Sequence, residues 1–334
     1  MSKYKHFLRF FLCVLFSGAY LCSEAKVWRV NGTPGVSADF TELSTAVLNA
    51  SVVNGDTIYV EIAPATYATV QLRKRLVIIG PGYLLNENTG LHANAGNAEV
   101  SGINMDSLAS GSSFHGLWAS FRLDSDVDNI TISRCRGTVN QTSLVAGTKV
   151  QNLVINKSYL SIFMNSYNLE NVQVTNCLIT GNFQILGANN GLVRNNTISI
   201  NSTVSIGGSY VTNNIFLNSP LNAVNSTVKN NYSSGVATSL PAGNNNQTGI
   251  PIATLIVNTG TTEGRYQLAP GSPAIGGGEP IDGITPDAGM YGTDDPYRIS
   301  GIPPIPTVYQ LTAPASLPAT ATNMTITFST RSNN

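Results

Sequence analysis

Charge is what this chain has least of. Asp, Glu, Lys and Arg together make 11% of its 334 residues, 18 basic against 18 acidic. Histidine occurs three times and cysteine four times. Each shortage excludes something. Residues 1–25 read as a removable leader, and their loss takes three Lys/Arg and one Asp/Glu, leaving a balance of −2. That charge has no basic footprint for nucleic acid. Between Lys149 and Ser234 stands a single carboxylate, Glu170. A glycoside hydrolase needs paired carboxylates, so this stretch does not supply one. It also lacks histidine, since the only two beyond the leader are His92 and His115. A cysteine nucleophile there would have no base. No run after the leader is apolar enough to span a bilayer.

What is present is a repeat. The phrase apolar–x–apolar–x–polar–polar appears as Ile130-Thr-Ile132-Ser-Arg-Cys135, Leu153-Val-Ile155-Asn-Lys-Ser158 and Val172-Gln-Val174-Thr-Asn-Cys177. Shorter versions follow, ending Asn195-Asn196, Asn213-Asn214 and Asn230-Asn231. The aligned residues are Ile132, Ile155, Val174, Val193, Val211 and Val228, spaced 23, 19, 19, 18 and 17 apart. A period near twenty with strand alternation marks a solenoid. Asn suits the corner because it tolerates left-handed backbone. A second apolar column, Leu160, Ile179, Ile198 and Phe216, follows each corner. Strand, corner and strand, stacked about 4.8 Å apart, give a parallel β-helix with Asn196, Asn214 and Asn231 as a ladder. Cys135 and Cys177 occupy that column with Ser158 between them. Two coils separate them by about 9.6 Å, beyond the reach of a disulfide at about 7 Å. Two inward thiols are expected.

The leader has Lys3, Lys5 and Arg9, then the apolar Phe10–Phe16, then Ser23-Glu24-Ala25, which is the order of a bacterial secretory signal. Export of the mature chain follows from it. Cys22 offers a lipoprotein alternative, against which stands the bulky Leu21 before it. Downstream, Asp39-Phe-Thr-Glu42 reads as a capping box, and Phe40, Leu43, Val47 and Ala50 share a helical face. A helix there would cover the open end of the coil. Thr254–Val257 reads as a further strand and Ser234–Gln247 as a loop. Ile302-Pro-Pro-Ile-Pro306 is extended. Met324-Thr-Ile-Thr-Phe328 alternates, as a strand covering the far end or running back along the coil would. The division is a leader at 1–25, a capped coil at 26–260 and an irregular segment at 261–334.

The runs Asp39-Phe-Thr-Glu-Leu, Gly55-Asp-Thr-Ile-Tyr-Val60 and Leu76-Val-Ile-Ile-Gly-Pro-Gly82 resemble secreted bacterial right-handed β-helix proteins of the pectate-lyase-like superfamily. Pro270-Gly-Ser-Pro-Ala-Ile-Gly276 and Asp287-Ala-Gly-Met-Tyr-Gly292 resemble the segments that follow the last coil there. The resemblance implies an all-β, right-handed, single-stranded parallel β-helix with an N-terminal capping helix. It leaves activity open, because the superfamily spans lyases, hydrolases, epimerases and proteins without catalysis. Lyases of this group imply Ca²⁺ held by acidic residues and an Arg or Lys base. Asp124, Asp126 and Asp128 are the candidate ligands for Ca²⁺, and Arg134 or Lys157 the candidate base. Against each stands a plain reading, a solvated turn for the aspartates and corner residues for the cations. The expected function is binding of a polysaccharide or cell-surface glycan by a monomer. A Ca²⁺-dependent uronate lyase and a structural adhesin are the alternatives.

Overall fold

The computed structural model describes residues 25–124, 126–141, 148–164, 168–236 and 239–333. The leader up to Glu24, with Cys22, lies outside the described residues. The chain forms a parallel β-solenoid. One face is a ten-stranded sheet whose neighbours are successive coils: Val27–Val30, Thr57–Val60, Val77–Ile79, Ser113–His115, Thr131–Ser133, Val154–Asn156, Gln173–Thr175, Gly191–Arg194, Ser209–Thr212 and Thr227–Lys229. The second face is an eleven-stranded sheet running from Val70–Leu72 to Tyr232–Ser233. A small third sheet joins Val150–Gln151, Leu169–Glu170 and Ala188–Asn189.

The six aligned residues pair as the repeat predicts: Ile132 with Ile155, then Val174, Val193, Val211 and Val228. All six are buried, with at most 5% of their surface exposed. Burying such a side chain fully stabilises by about 1.5–3 kcal/mol before chain entropy is subtracted. One coil contributes few of them, so stability comes from stacking. The corner ladder also forms. Asn214 Oδ1 accepts from the backbone N–H and the amide of Asn196, both at 2.9 Å. Asn231 Oδ1 does the same for Asn214 at 2.9 Å. Cys135 and Cys177 continue the column as free, buried thiols. Ser158 Oγ accepts from the Cys135 N–H at 3.0 Å, and Asn196 Oδ1 from the Cys177 N–H at 2.9 Å.

Several local expectations are corrected. A helix does form, over Leu43–Leu48, and buries Leu43, Ala46 and Val47. Ala46 rather than Ala50 faces the core, because the helix ends before Ala50. Asp39 does not cap it; its Oδ2 accepts instead from the Arg29 N–H at 2.8 Å. Thr254–Val257 is not a strand, for Ile252–Leu255 is a short helix following Pro251. The terminal strand covers Thr327–Arg331 and pairs antiparallel with Thr307–Thr312.

That hairpin lies against the first coils, where Ala93 N–H donates to Val308 O at 2.9 Å. The segment before it therefore crosses the whole stack in reverse. Glu279 sits at Asn213, Asp287 at Asn195, Gly292 at Asn176, Asp295 at Lys157 and Ile302 at Arg134. Residues 277–303 are thus a strap laid along one corner of the coil. The sequence division called 261–334 an irregular segment; its middle is a lengthwise clasp.

Candidate functional site

The strap lies on one column of residues, Gly116, Arg134, Lys157, Asn176, Asn195, Asn213 and Asn230. Each has a positive φ between 50° and 63°. Left-handed backbone at this corner turns one sheet into the other. It favours Asn and Gly, and excess left-handed energy falls on Arg134 and Lys157. At Gly116 a Cβ would meet Pro303 Cδ at 3.0 Å and Gly301 O at 3.2 Å, so the strap requires glycine there. The turned corner points these side chains outward at the strap and the next ones inward. Asn176 Nδ2 donates to Gly292 O at 2.8 Å, and Asn195 Nδ2 to Asp287 O at 2.8 Å. Asn213 Nδ2 donates to Glu279 O at 3.3 Å, and Glu279 N–H returns a bond to Asn213 Oδ1 at 2.6 Å.

Arg134 and Lys157 belong to this clasp. Lys157 pairs with the strap residue Asp295. Arg134 is 5% exposed, and its Nη1 donates to Ile302 O at 2.8 Å and Asn333 O at 3.2 Å. Burial lowers the Arg134 pKa, and the nearby Arg298 charge lowers it further. Both candidate bases stand in one column, as the repeat predicts, but under a covering segment rather than in a groove.

The three aspartates lie at a different corner. Asp126 Oδ1 accepts from the Lys149 N–H at 3.0 Å, and Asp128 Oδ1 from the Gln151 N–H at 2.9 Å. Asp124 Oδ1 lies 3.6 Å from Arg122 Nε. Two of the three therefore satisfy backbone donors of the next coil one by one. Among the described residues no group of three or more His, Cys, Asp or Glu side chains is placed to hold a metal. Ca²⁺ takes six to eight oxygens, and this arrangement does not fit it.

The structure also assembles groups that the sequence did not single out. Glu263 is fully buried beneath the strap. Its Oε1 and Oε2 accept from the Ser300 N–H at 3.0 and 3.1 Å, and Oε2 accepts from Asn88 Nδ2 at 3.1 Å. Tyr297 donates to Oε1, and the Tyr297 and Tyr83 hydroxyls meet at 2.9 Å. Burial pushes the Glu263 carboxyl up to about 7 despite these bonds. The network ties residues 83–88 to the strap. Its residues are 34 to 214 positions apart, beyond any local motif. The cysteines are chemically quiet, since burial pushes both thiols up to about 12.

The open polar surface is the outer face of the eleven-stranded sheet near its start. Register places Gln71, Asn104, Arg122 and Asn140 side by side in successive coils. Ser120 and Thr138 stand beside them, with Ser120 Oγ and Thr138 Oγ1 at 2.8 Å. Thr69, Ser101, Gly102, Asn104, Ser120, Arg122 and Asn140 line a concavity of about 480 Å³ there. A bulge between Val100 and Ile103 makes it. Periodicity alone shows that this face is polar; the bulge that hollows it carries no sequence period.

Compared with protein-family models, with curated proteins and with solved structures, the chain matches none. No helix among the described residues is long and apolar enough to cross a membrane.

Proposed function

We propose that this is an exported glycan-binding protein, a right-handed coil that holds a neutral polysaccharide across the outer face of its longer sheet. The observation that carries this reading is the hollow between Thr69 and Asn140. It offers amide and hydroxyl groups at a coil spacing of about 4.8 Å, with the buried Gly102 among its lining. Sugar hydroxyls are both donors and acceptors, and side-chain amides and hydroxyls match them without charge. Arg122 adds the single cation of the lining. It is already beside Asp124, so the hollow favours a neutral chain over a polyuronate.

Affinity electrophoresis through gels cast with neutral polysaccharides tests this. At least one gel is expected to retard the wild-type protein, and N104A/N140A is expected to migrate freely in it. No retardation in any neutral gel counts against the reading. The Ca²⁺-dependent lyase alternative gains no observation here, because its candidate bases hold the strap and two of its three aspartates bond backbone.

A further inference from the structure

A second pocket lies where the strap passes Arg134 and the terminal strand returns beside it. It measures about 420 Å³, and its lining includes Arg134, Arg298, Arg331, Tyr291, Tyr297 and Asn333. Three arginine side chains thus line one small space. Among the described residues none of them has a carboxylate within ion-pair distance, whereas six other Lys and Arg side chains do. The strap carboxylate whose charge reaches Arg134, Asp295, is paired with Lys157.

The bland account makes Arg134 one more clip for the strap. Its neighbours in the column argue otherwise. Asn176, Asn195 and Asn213 hold strap carbonyls with neutral amides. Clipping therefore does not need a charge, and a nearly buried guanidinium is an expensive substitute for an amide. Arg331 points the same way. Its Nη2 donates to Leu91 O at 2.9 Å, but its Nε is buried and finds no partner among the described residues. A buried donor without an acceptor is costly, and a bound oxyanion would satisfy it. Arg298 is exposed at the rim, where it can close over a ligand.

We infer that Arg134, Arg298 and Arg331 form an oxyanion-binding site that takes the carboxylate or sulfate group of an acidic saccharide. Guanidinium forks pair with both groups in bidentate fashion. The half-buried ring of Tyr291, backed edge-to-face by the buried Tyr297, offers an apolar wall of the kind a sugar face packs on. The site is separate from the hollow at Asn104 and Asn140, and it does not depend on the neutral-glycan reading.

Isothermal titration in low salt tests it, with four probes: trigalacturonate, a sulfated chondroitin disaccharide, inorganic sulfate and neutral galactotriose. One or more of the anions is expected to bind one per chain, and R298Q and R331Q are each expected to weaken binding at least tenfold. Binding is expected to fall with added NaCl. N104A/N140A is expected to leave it unchanged, which separates failure of this site from failure of the polar hollow. The probe bound most tightly tells a uronate, a sulfate ester and a free anion apart. Absence of binding by all three anions overturns the inference. So does binding that R298Q and R331Q leave intact, or equal binding of galactotriose.

Discussion

Asn214 shows how much one residue of the ladder carries. Its amide donates to Val193 O at 3.0 Å, Thr212 O at 2.9 Å and Asn231 Oδ1 at 2.9 Å, while its own oxygen accepts twice from Asn196. Truncation leaves several buried backbone groups unpaired. Asn214→Ala is therefore expected to destabilise by about 2–5 kcal/mol, read by denaturant unfolding. Glu263 gives a pH signature. It holds its proton in the folded protein up to about pH 7, while in the unfolded chain it ionises near 4.5. Folding takes up a proton in that interval, so this contribution to stability declines as pH rises from 4.5 to 7. E263Q should flatten the decline, because the amide does not titrate, read from urea curves at several pH values. A steeper decline in E263Q would contradict it. The two thiols, both at about 12, should react with a thiol reagent only after unfolding.

Among the elements, the coils were legible and the strap was not. The coil writes itself in side chains: each strand needs Ile or Val at the same place, and each corner needs Asn. The column of Ile132 and the column shared by Cys177 and Asn196 could be aligned from the repeat alone. The strap meets the coil through its own carbonyls at Asp287, Gly289, Gly292 and Ile302. Every residue has a carbonyl, so no residue type announces the contact. The capping box misled for a related reason. Asp39 has the right spacing for a cap but found the Arg29 N–H of a strand instead. Besides Asp295, the strap has a side-chain anchor in Glu279, which accepts from the Tyr210 hydroxyl at 2.8 and 2.6 Å and from Thr212 Oγ1 at 3.1 Å, and pairs with Lys229 at 2.5 Å. Burial alone would raise its pKa, but these donors outweigh burial and lower it. E279A should speed amide hydrogen exchange across residues 277–289 while leaving the Gln173–Thr175 strand protected. Equal exchange in E279A and wild type would remove Glu279 as an anchor.

Across the whole molecule, stacked coils contact only their neighbours, and such arrays lose cooperativity as they lengthen. The strap changes that, because it links the last coils to the first in one pass. It also takes one corner out of solvent, and with it the very cations that a lyase reading would use. The candidate site shifted for that reason. Sequence reasoning placed Arg134 and Lys157 correctly in a shared outward column, but exposure depended on a segment more than a hundred residues away. The polar hollow of the eleven-stranded sheet lies away from the strap and stays open to a long ligand.

The most direct measurement is a titration of the protein with the neutral polysaccharide that retards it, with the polymer's chain length determined before and after. The account predicts saturable binding that N104A/N140A abolishes and a chain length that does not change. Shortening of the polymer, or undiminished binding by N104A/N140A, would contradict it.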